Sequence, residues 1–166
     1  NAEEDGMPVE LWQSTTGITR NWQYLGDLQP YMLNFLENHD EQRFASEFFG
    51  KDAAGTSAPL YVSLCLNTAP FMIYFGEEVG ERGMDEEGFS GRDGRTTIFD
   101  WWSVSSVRRL RKLIASGSYE ASSISALVKG GLKKEEAETF MRFTKAVRLA
   151  SSDDAVSKGS TYDLCY

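Results

Sequence analysis

The chain has 166 residues, 41% of them hydrophobic and 25% charged, an ordinary globular balance with length enough for one sizeable core. A net charge of −8 and a sequence pI near 4.7 argue against a nucleic-acid partner, because phosphate neutralisation needs clustered Lys and Arg. No apolar run is long enough to span a bilayer and no charged n-region precedes an apolar h-region, while the start at Asn1 rather than Met reads as excision from a longer precursor.

In chain order, residues 1–20 form a polar lead-in with Trp12 as apolar anchor, and Arg20–Asp27 reads as a short helix ended by Gly26. Tyr31-Met32-Leu33-Asn34-Phe35-Leu36 is a short apolar, aromatic run, which predicts a buried strand over Met32–Leu36. It stops abruptly at Glu37-Asn38-His39-Asp40, a polar cluster with the chain's one histidine. Strand ends of this kind are where α/β folds place their reactive groups. Because successive strand side chains point to opposite faces, His39 and Asp40 can address one ligand only where the backbone turns out of the strand.

Glu41–Gly55 carries Phe44, Phe48 and Phe49 before a loop at Lys51–Gly55. Thr56 or Ser57 can then cap a helix over Pro59–Asn67, with proline in its favoured first turn. Pro70 ends that helix, and Phe71–Phe75 predicts a second strand, parallel to the first and completing a βαβ unit. The Gly-, Asp- and Glu-rich stretch from Gly76 to Asp100 is too long for an ordinary connection, and loops of that length are usually functional. Helical spacing resumes over Trp102–Ile114, breaks over Ser116–Ser125, and is clearest over Lys133–Leu149, with Phe140, Phe143, Val147 and Ala150 on one face. The basic cluster Arg108-Arg109-Leu110-Arg111-Lys112 reads as a solvated helix face. Thr161–Tyr166 is strand-like, and Cys65 and Cys165 have neither metal-ligand spacing nor a disulfide framework around them.

Two blocks carry a resemblance. Phe35–Asp40 resembles the Asn-His-Asp signature that closes the seventh barrel strand of the α-amylase family, glycoside hydrolase family 13. Pro70–Glu78 resembles that family's eighth strand, in the expected order. Asn67-Thr68-Ala69 departs from the pattern by lacking the glycine that commonly precedes this proline. A complete (β/α)8 barrel needs about 250 residues. The fold class the resemblance implies is therefore α/β, an incomplete C-terminal fragment of a TIM barrel holding strands 7 and 8 with their helices. Residues 1–160 would belong to that catalytic barrel, and residues 161–166 would begin a truncated C-terminal β-domain.

The resemblance implies a retaining hydrolase of α-1,4-glucans such as starch and malto-oligosaccharides. Retaining glycosidases work with two carboxyl groups around an oxocarbenium-like transition state. A third carboxylate aimed at the developing charge stabilises the transition state more than the ground state. By resemblance Asp40 is that third carboxylate and His39 a contact to the sugar at the cleaved bond. Asn38 is a scaffold of the strand end or a further substrate contact. Arg43 orients Asp40 or another carboxylate, or forms a structural salt bridge. Each has a plainer reading: a turn Asp, a satisfied structural His.

Glu77 and Glu78 diverge in direction and are expected to hold the barrel mouth. Phe89, Arg92, Asp93, Arg95, Phe99, Asp100, Trp101 and Trp102 have the aromatic and polar mixture of a glucan subsite, or simply pin the loop. No Gly-x-Arg-x-Asp stretch for the nucleophile and no matching acid block is present, so the chain alone is expected to be inactive. No metal or other cofactor is expected in it. Open strand edges would seek the missing part of the barrel or a second copy of the chain. The resemblance alone favours an extracytoplasmic address. The rival readings are a glucan transferase, an α-1,6-glucosidase, and a non-catalytic carbohydrate-binding or scaffold protein.

Overall fold

The computed structural model describes residues 16–65, 69–83, 93–96 and 104–159. It overturns the expectation of a barrel fragment. The described residues are mainly helical, and their strands are two short parallel ones, β1 (Asn34–Phe35) and β2 (Phe71–Met72), with Asn34 opposite Phe71 and Phe35 opposite Met72.

Both strands fall short of the predicted Met32–Leu36 and Phe71–Phe75 for a visible reason. Past β2 the main-chain groups that would extend a ladder are taken by side chains. The Tyr74 N–H donates to Glu77 Oε2 at 3.1 Å, and the Phe75 carbonyl accepts from Arg43 Nη2 at 2.8 Å. Before β1, Gly26–Tyr31 winds into a 3-10 helix, leaving Met32 as its first extended residue. After β1, Asn38 turns the chain back on itself.

The helices are α1 (Thr16–Leu25), α2 (Ser57–Cys65), α3 (Ser105–Ala115), α4 (Ile124–Lys129), α5 (Lys134–Ser152) and α6 (Asp154–Ser157). Asp52, Ser123 and Asp153 each accept a backbone N–H at a helical start, the side-chain capping that orphan amide groups require. The strands are joined through α2, apolar nearly throughout, with Pro59 in its first turn.

α5 is the spine. Its buried Ala137 packs with Val79, Leu110, Leu113, Leu127 and Leu132, drawing α3 and α4 onto one side. About two turns further on, Phe143 and Ala146 meet Leu60, with Leu36, Leu64 and Phe71 beside them, which ties the other side to α2 and the strands. Leu113 and Leu127 are wholly buried, and burying one leucine is worth roughly 1.5–3 kcal/mol. The basic cluster divides. Arg108, Arg111 and Lys112 face solvent, whereas Arg109 makes a bidentate pair with Glu136, whose carboxylate also accepts the Lys133 N–H at the start of α5.

No helix among the described residues is long and apolar enough to cross a membrane. Trp12, Phe89, Arg92, Phe99–Trp102, Cys165 and the tail 161–166 lie outside the described residues.

Candidate functional site

The strand end is built on a buried ion pair. Arg43 and Glu37, both wholly buried, meet at 2.8 Å between Arg43 Nη1 and Glu37 Oε2. Glu37 Oε1 accepts the Phe44 N–H at 2.8 Å. The remaining guanidinium donors go to Thr96 Oγ1 at 2.9 Å and to the Phe75 carbonyl, with the ring of Tyr74 4.3 Å from the guanidinium carbon. Arg43 thus joins β1's exit, β2's exit and the segment 93–96 through one side chain. It is closed off from solvent, and the carboxylate it orients is Glu37, not Asp40.

Between Glu37 and Arg43 the chain must turn outward. Asn38 Oδ1 accepts the N–H groups of Asp40 and Glu41 at 2.8 and 2.9 Å, an Asx turn that presents His39 and Asp40 to solvent. Their side chains are 52% and 64% exposed, with His39 Nε2 at 3.3 Å from Asp40 Oδ2. Arg95 fastens the tip from outside, its Nε donating to the Asp40 carbonyl at 2.6 Å and its Nη1 to Asp93 Oδ2 at 2.7 Å. Asp93 and Arg95, read from sequence as subsite residues of the long loop, therefore act on the tip's backbone. Phe89, Arg92, Asp100 and the two tryptophans of that reading are outside the described residues.

Below the tip lie more carboxyl groups than cations. Glu77 is 4% exposed, and burial, reinforced by the nearby Glu37 charge, pushes its pKa up to about 8. Its Oε1, like Glu78 Oε2, is buried without a hydrogen-bond partner. Burial also raises Glu78 and raises Glu37, the latter against the opposing pull of Arg43. Burial likewise raises the Tyr74 phenol, whose hydroxyl donates to the Thr96 carbonyl at 3.2 Å. One guanidinium cannot neutralise three carboxylates in a dry site, so Glu77 stays protonated at neutral pH.

No family model, curated protein or solved structure matches the chain.

Of the four residues singled out from the sequence, the structure brings His39 and Asp40 together at the surface, sets Asn38 as the turn-former between them and β1, and buries Arg43 beneath. Reading the sequence alone passed over Glu37 and Thr96. Glu37 had a signal, a carboxylate six residues before an arginine across a predicted strand exit; Thr96 had none, since its contact with Arg43 spans 53 residues. Among the described residues, no three of His, Cys, Asp and Glu gather to hold a metal ion. What remains is an exposed imidazole and carboxylate on a rigidly braced turn. That pair can exchange hydrogen bonds with a polyhydroxyl ligand and offer negative charge to a cationic centre.

Proposed function

We propose that the chain contributes the charge-stabilising part of a retaining α-glucan hydrolase. Asp40 is its transition-state carboxylate, and His39 hydrogen-bonds the sugar ring next to the cleaved bond. The observation that carries this reading is the juxtaposition of the two side chains, solvent-facing and 3.3 Å apart, on a turn braced by Asn38 and Arg95. The resemblance of Phe35–Asp40 to the α-amylase signature supplies the substrate class. In a preorganised turn a carboxylate need not move as positive charge develops, which is how such groups lower a barrier. Arg43 and Glu37 serve as positioning residues.

The nucleophile and acid/base needed for turnover are not among the motifs of this sequence, and the chain alone is expected to release no reducing sugar. The same absence favours a second reading, a non-catalytic glucan-binding protein. Adding maltoheptaose to the chain while following the ring protons of its single histidine by NMR tests both. A saturable shift, weakened in Asp40→Ala, supports glucan contact at the tip. No shift at ~10 mM sugar, a concentration far above ordinary binding constants, overturns both readings. Release of reducing sugar by the pure chain would show that it holds a catalytic pair of its own.

A further inference from the structure

A cavity of about 620 Å³ lies away from the tip, between the start of α3, the first half of α5, the turn that follows β2 and the segment Asp52–Ala54. None of its lining residues belongs to Glu37–Arg43 or to 93–96. That volume is in the range of small-molecule sites. Most of the wall is made of ionisable side chains and the hydroxyls of Ser105 and Thr139, with Val79 and two alanines as its apolar part.

The charges along this wall are not satisfied alike. Each acid is already engaged. Glu136 holds Arg109, and Glu135 lies 3.6 Å from Arg82. Glu81 accepts the Ser106 hydroxyl and the N–H groups of Arg82 and Gly83. Asp52 accepts the Ala54 N–H, and Glu138 lies 3.9 Å from Lys134. Two of the cations are not matched in this way. Among the described residues Arg142 enters no ion pair, and its Nη2 donates to Thr139 Oγ1 at 3.1 Å, a neutral acceptor. Arg142 Nε is buried without a hydrogen-bond partner. A guanidinium partly withdrawn from water and set against a hydroxyl is a charge that the protein leaves uncompensated, where buried charges are otherwise paired. Lys133 also enters no ion pair among the described residues.

We propose that this cavity binds a small hydroxylated organic anion whose carboxylate or phosphate oxygens meet the remaining donors of Arg142. The planar fork of a guanidinium matches paired oxygens and discriminates against a spherical ion. The body of the ligand is hydroxylated because the rest of the wall offers carboxylate acceptors and hydroxyls and little apolar surface. Lys133 stands nine residues before Arg142, roughly 13 Å along α5, too far to grip the same group, and adds attraction at longer range. Glu138, one turn before Arg142 on the same wall, competes with the ligand for its charge. The chain's net charge of −8 opposes any anion, so dissociation constants of about 0.1–10 mM are expected. The inference is independent of the sugar reading at the tip.

The test titrates glucose-6-phosphate, gluconate and inorganic phosphate to ~10 mM into the isotope-labelled chain at constant ionic strength, with glucose as the uncharged control. Arginine Nε–H resonances report the site, and Arg142→Lys, which lacks that group, assigns the one that matters. Saturable movement of the Arg142 resonance is expected with glucose-6-phosphate or gluconate, and the tighter of the two tells phosphate ester from carboxylate. That ligand should bind about fivefold or more tightly than inorganic phosphate, the worth of one hydroxyl hydrogen bond. Calorimetry should show Arg142→Met weakening it by about tenfold or more and Glu138→Gln, which removes the competing carboxylate, tightening it. Should Arg142→Met fail to fold by circular dichroism, Glu138→Gln decides, since it leaves the arginine in place. No saturable movement with either organic anion, inorganic phosphate or glucose binding as tightly, a shift confined to the His39 ring, or unchanged affinity in the folded variants would overturn the proposal.

Discussion

Replacing Glu77 by glutamine should abolish most of the alkaline destabilisation of this fold. Glu77 holds its proton in the folded chain up to about pH 8, against an ordinary value of 4.5, because burial penalises its charge and the Glu37 charge repels it. The unfolded chain releases that proton near 4.5. The raised pKa therefore stabilises the fold fully below about pH 4.5, and this contribution falls away as pH climbs toward about 8. At about 1.4 kcal/mol per pH unit the whole interval is worth on the order of 5 kcal/mol. Glutamine is close to isosteric with the neutral acid and can still accept the Tyr74 N–H, so at about pH 5 the variant should match wild type within ~1 kcal/mol. Near pH 9 it should be the more stable by several kcal/mol. Urea denaturation at intervals from pH 5 to 9 measures both curves. Glu78 and Glu37 shift in the same direction and tilt both curves, so the difference between the curves reads Glu77 together with its coupling to Glu37. Parallel curves, or a wild-type stability flat across this range, would refute the reasoning.

Arg43→Met should cost about 3–5 kcal/mol in denaturant stability by leaving Glu37 buried and unpaired, and the double variant with Glu37→Met should recover much of that loss. Gly83→Ala should lower the melting temperature, since Gly83 has φ +83° and a Cβ there would come within 2.5 Å of the Gly94 backbone, whose carbonyl accepts the Arg43 N–H; a cost above about 1 kcal/mol is expected. Leu127→Ala should cost about 2–5 kcal/mol by opening a cavity between α4 and α5, read from the urea midpoint. Arg95→Ala should leave stability within ~0.5 kcal/mol because its side chain is partly exposed, yet weaken the maltoheptaose-induced shift of His39 by freeing the Asp40 carbonyl.

What the sequence determined by itself is local. The spacing of Phe140, Phe143 and Val147 on one face requires a helix, and α5 is that helix. Proline at position 59 marks a helix start because its missing N–H is an orphan there in any case. The abrupt change from Phe35-Leu36 to Asn38-His39-Asp40 marks a chain leaving a strand for solvent, and an Asn at such a point bonds the backbone two residues on.

Tertiary structure decided the rest, for two reasons. The first is competition for main-chain groups. Five apolar residues after Pro70 suffice for a strand by pattern, but whether the ladder continues depends on who else wants the Tyr74 N–H and the Phe75 carbonyl, and Glu77 and Arg43 took them. A pattern of residues along the chain does not contain that competition, which is why two five-residue strands of a barrel fragment were expected and two strands of two residues each are present in a mainly helical fold. The second is charge in a dry interior. Glu37, Glu77 and Glu78 look alike in sequence, and only burial together with a single shared arginine makes one an ion-pair partner and another a protonated acid. The long-range bonds that brace the tip, Arg43 to Thr96 and Arg95 to Asp40, span 53 and 55 residues. Pairings at that separation exist only once the chain has folded to bring them within reach.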